Sequence, residues 1–356
     1  MSVSADSGIS FDELRLAARN HAMPLEALQW AITPVGLHYL LIHYDVPLVD
    51  PADWRMEVRG AVERPLALSL DELRGRPAVE IAVTMECAGN GRALLAPRPV
   101  SQPWLTEAVG TARWKGVPLA DLLDEAAPRS SAVDVVFAGL DRGVEGGIEQ
   151  RYERSLPVAE ALESGAVLAY EMNGEPVPPQ HGFPLRLVVP GWYGMTNVKW
   201  LSSISLVEEP YEGYQVATAY RFRQSEEEAG RPVNRMRPRS LMVPPGIPDF
   251  FTRERVVERE GALLEGRAWS GRAPIARVEV SDDAGETWAE AELTRELDGP
   301  WAWCGWSFRW EPRGRGAFTL GCRATDETGD AQPLEPEWNL GGYENNAVQR
   351  VPVVVR

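Results

Sequence analysis

The sequence predicts an α+β chain in two parts, a mixed α/β unit over residues 1–235 and an all-β sandwich over 236–356. Three observations lead there. Helix-period and strand-period segments alternate through the first 220 or so residues without a βαβ rhythm and without a Gly-x-Gly-x-x-Gly, which removes support for a dinucleotide fold. Composition then shifts between Gln224 and Val256, where Glu226-Glu-Glu is followed by prolines at 232, 238, 244, 245 and 248, as an interdomain connection would read. Beyond it only short alternating runs with turn signals remain.

Along the chain, residues 11–30 read as helical: Phe11, Leu14, Leu16 and Ala17 recur at helical spacing, and Pro24 opens a second short segment. Leu37 to Val46 reads as β-rich, and Trp54 to Gly60 alternates like a strand. Ser69 is the expected N-cap for Leu70-Asp-Glu-Leu, and Val117 to Leu123 is a short helix with Pro118 near its first turn. Ile81, Val83 and Met85 alternate with Ala82 and Thr84 as a strand, while Val133–Ala138 and Leu185–Val189 read as buried strands. In the second part Ala276, Val278 and Val280 form a strand, Asp282-Asp-Ala-Gly a turn, and Ala289, Ala291 and Leu293 the next strand. Phe318 to Ala324 and Val351 to Val355 follow, a spacing that fits an immunoglobulin-like sandwich. Seven of the 13 tryptophans lie from Trp269 onward, more than a small core needs, so an interface is expected there.

A length of 356 residues allows two domains. The net charge of −16 argues against nucleic acid or an anionic membrane as partner, and it means that any anion site must be a local cluster of Arg and Lys. The opening residues have no basic or apolar export pattern and no apolar run is long enough to span a bilayer, so the cytoplasm is the expected location. Three cysteines (Cys87, Cys304, Cys322) make a disulfide framework improbable, and Cys322 reads as packed core. Four histidines and no Cys-x-x-Cys argue against a conventional zinc site and against haem in this chain.

Two segments carry chemistry. In the first, Cys87 falls where a strand meets a turn-rich Ala-Gly-Asn-Gly loop, with Arg92 five residues on. A thiol so placed is either a thiolate ligand or nucleophile, or simply a small buried hydrophobe. In the second, His181, Arg186 and Lys199 stand among glycine-rich loops between Tyr170 and Trp200. Singly each reads as a satisfied histidine or a solvated charge; together they supply the imidazole and cations that a phosphate-bearing cofactor requires.

The Cys-Ala-Gly-Asn loop resembles the molybdenum-binding loop of the sulfite oxidase family, and His181-Gly-Phe-Pro-Leu-Arg186 with Val198-Lys199-Trp200 matches a second motif of that family. Ile32-Thr-Pro, Glu63-Arg-Pro, Trp114-Lys-Gly-Val-Pro-Leu, Leu168-Ala-Tyr-Glu-Met-Asn-Gly, Gly266-Arg-Ala-Trp-Ser-Gly, Gly285-Glu-Thr-Trp and Glu337-Trp-Asn-Leu fit in order across both halves. The resemblance implies molybdenum held by the dithiolene of one molybdopterin and by a single protein thiolate, Cys87, a soft ligand suited to a thiophilic metal. It places His43, Asp121, His181, Arg186, Asn197 and Lys199 around the pterin and its phosphate, and Arg92, Trp104 and Tyr220 at the substrate. It implies oxo transfer, with sulfite oxidised to sulfate, or with nitrate or a sulfoxide as the alternative substrate. It further implies a homodimer through the C-terminal domain and, without haem here, oxygen or a separate carrier protein as electron acceptor.

The chain departs from the family pattern at one point. Where the family reads Phe-x-Val-Arg-Asn-His, residues 39–43 read Tyr-Leu-Leu-Ile-His, which puts Leu41 at a substrate arginine. Arg19-Asn20-His21 precedes Ile32-Thr-Pro instead of following it and reads as coincidence, although Arg19 would compensate if the fold brought it to the pocket. The spacing at Tyr220 needs a one-residue gap, which leaves Tyr214 as a possible substitute.

Overall fold

A computed structural model describes residues 8–356; the opening seven residues, on which the export-signal reading largely rests, lie outside them. Two main sheets build the first unit, with a small hairpin of Arg221–Phe222 and Arg231–Pro232 besides. One is a sheet in the order Leu66–Leu68, Met56–Gly60, Leu201–Val207, Asp134–Glu145, Ile148–Pro157, with Met56–Gly60 and Leu201–Val207 parallel. The other pairs Val79–Glu86 with Val109–Pro118 and then with Val167–Met172, on which the short strand Arg186–Val188 also lies. Short helices cover the edges. Phe11–Ala17 starts at Ser10, and Leu70–Arg74 at the expected Ser69; both close a capping box with the glutamate three residues on. Leu119–Ala126 buries Leu119, Leu122, Leu123 and Ala126.

The C-terminal part is a two-sheet sandwich. One sheet runs Arg239–Met242, Ala262–Trp269, Cys304–Trp310, Glu292–Thr294; the other runs Ile247–Pro248, Arg255–Val257, Gln349–Val355, Gly316–Asp326, Ile275–Ser281, Ala289–Glu290. Leu264, Val278, Leu320, Cys322 and Val353 fill the space between them, as the alternation of each strand requires.

Three expectations need correction. Leu37–Val46 is a loop with a single bridge, His21 to Leu40, because its apolar side chains line a cavity and not a sheet face. The run Ala289–Thr294 breaks at Ala291, its first half pairing with Ile275–Ser281 and its second with Cys304–Trp310, so one chain segment serves both sheets. The proline-rich connection contains the fully buried strand Arg239–Met242, which contributes an edge of the sandwich.

The tryptophans explain the junction of the two parts. Trp303 and Trp338 donate their indole N–H to the carbonyls of Ala31 and Pro97, and Trp269 donates to the Glu86 carboxylate. Trp269 and Trp303 belong to the hydrophobic core of the first unit, not to that of the sandwich.

Candidate active site

The strand Val79–Glu86 delivers Cys87. The ladder with Val109–Pro118 runs to its last pair, Glu86 and Val109, and the Cys87 N–H continues it by donating to the Ala108 carbonyl at 2.9 Å. The chain then folds over itself: Asn90 N–H reaches Cys87 O at 2.9 Å and Arg92 N–H reaches Gly89 O at 3.1 Å. Asn90 is the strut of this turn. Its amide donates to Glu86 Oε1 and to Thr106 O, and its carbonyl accepts from the Ala108 N–H. Gly89 leaves the room the turn needs, since a Cβ there would sit 2.6 Å from the Arg92 guanidinium.

The far side of the loop is held by the C-terminal part. Glu344 N–H donates to Ala88 O, Asn345 Nδ2 to Gly91 O at 2.7 Å, and Arg92 Nε to Gly341 O at 2.9 Å. Glu86, itself buried, faces Arg239 with 3.1 Å between Oε1 and Nε and accepts the Trp269 indole at Oε2. The loop is therefore clamped between two cores.

Cys87 lies where two cavities meet. The inner one gathers His43, His181, Arg186, Asn197 and Lys199 with Tyr220 and Cys87. The outer one gathers Arg92, Trp104, His43 and Tyr220 around the same thiol. Asp121 joins neither: it is exposed on the helix Leu119–Ala126, whose buried face points into the protein core. The acid that does line the inner cavity is Asp141, at the register shift in the pairing of Asp134–Glu145 with Ile148–Pro157. An acid directly after the apolar run Val135–Leu140 was the available signal for it.

Arg19 is exposed and donates to the Tyr44 carbonyl, outside both cavities, so Leu41 lines the pockets uncompensated. Tyr220 lines both cavities, whereas Tyr214 lines neither. The segment before Tyr220, Gln215–Ala219, is a π-helical turn, whose wider ring takes up the extra residue in the spacing. Sequence reasoning also missed Tyr343 and Glu145, which line the outer cavity from a C-terminal loop and from a hairpin tip.

The electrostatics of the inner cavity are unusual. Arg186 is buried and donates to the carbonyls of His181 and Asn197, with its guanidinium 4.7 Å from the Trp114 ring centre. Lys199 Nζ donates to Leu41 O and Gln180 O. Neither cation has an ion-pair partner among the described residues. Burial and then the charge of Arg186 push Lys199 down to about 7, with Asp141 opposing. Burial pushes Arg186 down to about 10, His38 down to about 4, and Asp141 up to about 6. Arg186 Nε, His38 Nε2 and Asp141 Oδ1 are buried without a hydrogen-bond partner. A wall of buried, carbonyl-solvated cations and unpaired polar atoms is costly in an otherwise apolar interior, and an anionic, ring-bearing ligand would satisfy it. In the outer cavity, burial raises the Cys87 thiol while Arg92 opposes it, and Tyr220 is held well above its ordinary value by burial. The buried Trp104 indole N–H has no oxygen or nitrogen partner and acts on the Cys87 thiol, whose pKa it lowers.

Comparison with known proteins gives a consistent picture. A model described as oxidoreductase molybdopterin binding domain matches residues 43–215, and one described as Mo-co oxidoreductase dimerisation domain matches residues 235–356. Mitochondrial sulfite oxidase of Mus musculus is 38% identical over 378 residues, covering 99% of this chain and 67% of the relative; that of Homo sapiens is 36% identical, covering 91% and 62%. Nitrate reductase [NADH] 1 of Oryza sativa subsp. japonica is 34% identical, covering 91% of this chain and 38% of its own length. The chain thus spans about two thirds of the sulfite oxidases and well under half of that nitrate reductase. Among solved structures, the sulfane dehydrogenase SoxCD from Paracoccus pantotrophus superposes with a TM-score of 0.79 at 25% identity, covering 98% of this chain and 92% of the other.

Proposed function

Because this chain belongs to the sulfite oxidase family of molybdopterin-dependent oxidoreductases, we propose that it oxidises sulfite to sulfate in the outer cavity beside Cys87. The observation that carries this reading is the position of Cys87, between a cavity built for an anionic cofactor and a pocket with a guanidinium, an indole N–H without an oxygen or nitrogen partner and a phenol.

The chemistry of the residues lining the inner cavity suits molybdopterin. Arg186 and Lys199, buried cations without ion-pair partners, would take its phosphate; His43, His181, Asn197 and the unpaired Asp141 Oδ1 would meet its ring nitrogens and amino groups; Cys87 would be the one protein ligand to molybdenum. Among the described residues no group of three or more His, Cys, Asp or Glu side chains could hold a metal ion. When bound, the cofactor supplies the two-electron oxo-transfer chemistry. The chain supplies the rest. Arg92, fixed by Gly341 O, neutralises the oxyanion; Tyr220, neutral across the working pH range, donates a hydrogen bond; Trp104 donates from its N–H and shapes the pocket. The two electrons and two protons released per sulfate leave separately, the electrons to oxygen or a carrier protein.

In this reading residues 1–235 hold the cofactor and residues 236–356 pair two copies of the chain, which the dimerisation-domain match supports. No helix of the described residues is long and apolar enough to cross a membrane, and the cytoplasm is the location we assign.

A second reading has its own observation. Leu41 and Glu145 both line the outer cavity, and hydrogen bonds from His43, Gln215 and Tyr44 hold the Glu145 carboxyl below its ordinary value despite burial. A pocket short of one cation and holding a carboxylate favours a less charged substrate than sulfite, such as nitrate or a sulfoxide. Assaying molybdenum-loaded protein on sulfite, nitrate and a dialkyl sulfoxide with artificial one-electron carriers tests the two against each other. We expect saturable turnover of sulfite; turnover of nitrate or sulfoxide without any of sulfite would reverse the assignment.

A further inference from the structure

One wall of the outer cavity comes from the C-terminal part. There Tyr343 lines the pocket with Arg92, Trp104, Leu41 and Tyr220. Its backbone is fixed from both sides. The fully buried Asn339 donates to Tyr343 O at 2.8 Å and accepts from Tyr343 N–H at 2.9 Å. Glu344, the next residue, sits at φ 57°, a left-handed conformation costly for a residue with a side chain, and is held there by Ala88 O and by a two-oxygen pairing with Arg231.

Two side chains of the pocket stand against the ring of Tyr343. The Arg92 guanidinium carbon lies 5.2 Å from its centroid, a cation–π contact, and the Tyr220 ring lies 5.3 Å away, tilted by 36°. Arg92 can approach because its other neighbour in that loop is Gly342, where a Cβ would stand 2.7 Å from Arg92 Cγ. The hydroxyl has no hydrogen-bond partner among the described residues. Leu41, on the same cavity, offers neither charge nor donor.

We propose that Tyr343 is a specificity-determining residue that binds the substrate oxyanion through its hydroxyl and holds Arg92 in place through its ring. The pocket then recognises an oxyanion with one cation and two phenols, Tyr220 and Tyr343, where the family pattern uses two cations. Burial, opposed by Arg92, raises the Tyr343 phenol, so it remains a neutral donor at working pH. A neutral donor attracts an oxyanion less than a guanidinium does, and its attraction depends less steeply on whether the substrate carries one charge or two. The inference rests on the oxyanion reading above.

The test uses molybdenum-loaded protein carrying Tyr343→Phe or Tyr343→Leu, with two readouts: sulfite KM and kcat, and the calorimetric Kd of sulfate and of nitrate, which needs no turnover. Loss of a hydrogen bond to a charged group predicts a rise in KM and in Kd of about 10-fold or more for Tyr343→Phe, with kcat changed far less. Tyr343→Leu, which also frees Arg92, is expected to be worse than Tyr343→Phe. Unchanged KM and Kd in Tyr343→Phe would overturn the proposal, as would wild-type protein that binds neither anion at millimolar concentration. Absence of sulfite turnover in wild type would reject sulfite as substrate, while the anion affinities of the two variants would still decide the role of Tyr343.

Discussion

Lys199 shows what a buried charge asks of its surroundings. Its Nζ is solvated by two carbonyls and faces no carboxylate within ion-pair distance, and its pKa lies at about 7 where an unfolded lysine keeps its proton to about 10.5. Between those values the unfolded chain binds the extra proton, so stability rises with pH through that window and is flat with respect to this group below it. Urea unfolding of cofactor-free protein from pH 7 to 10 should therefore show a stability gain that shrinks in Lys199→Met; equal slopes in both proteins would contradict the burial argument. Lys199, His181 and Arg186 were legible in the sequence because they sit among glycines and prolines in a short span. Asp121, expected at the cofactor from the resemblance alone, is exposed outside both cavities, and Asp141 is the acid that lines the inner one. Tyr343 was invisible: it lies 251 residues from Arg92 in the chain, and no local pattern announces that two loops will meet.

At the level of elements, the strand Val79–Glu86 and the loop after it form the part of the site most readily seen in advance. Alternation marks the strand, and each small residue of Cys-Ala-Gly-Asn-Gly has a steric or hydrogen-bonding task. The expected β-structure of Leu37–Val46 failed because apolar residues that line a cavity and those that line a sheet face look alike in sequence. The ion pair of Glu86 with Arg239, between the strand end and the edge of the sandwich, is the element-scale contact that carries the most risk. Both residues are 2% exposed, and removing one charge leaves the other buried. Glu86→Gln should cost about 3–5 kcal/mol in urea unfolding. A cost under about 1 kcal/mol would mean that the Trp269 and Asn90 hydrogen bonds, not the charge, hold this junction.

For the whole molecule, the two parts of the chain converge on one pocket. The two-part organisation was readable from the proline-rich break and the strands beyond it, while the tryptophan surplus from Trp269 onward, which reads as a surface for a second chain, serves the junction of the two parts. Trp269, Trp303 and Trp338 make these contacts within the chain. The net charge of −16 makes the local cations decisive: with Leu41 in the pocket, Arg92 is the only Arg or Lys side chain among the described residues of the outer cavity. Replacing a charge-assisted hydrogen bond by an alkyl group forfeits about 1.5–3 kcal/mol, or roughly 10- to 150-fold in the hold on a small oxyanion. The most direct measurement is steady-state sulfite oxidation by molybdenum-loaded wild type and Leu41→Arg, titrated from micromolar to millimolar sulfite with an artificial one-electron acceptor. The account predicts saturable turnover with a high KM that falls by about 10-fold or more in Leu41→Arg. No turnover in metal-loaded protein, or a micromolar wild-type KM that the substitution leaves in place, would contradict it.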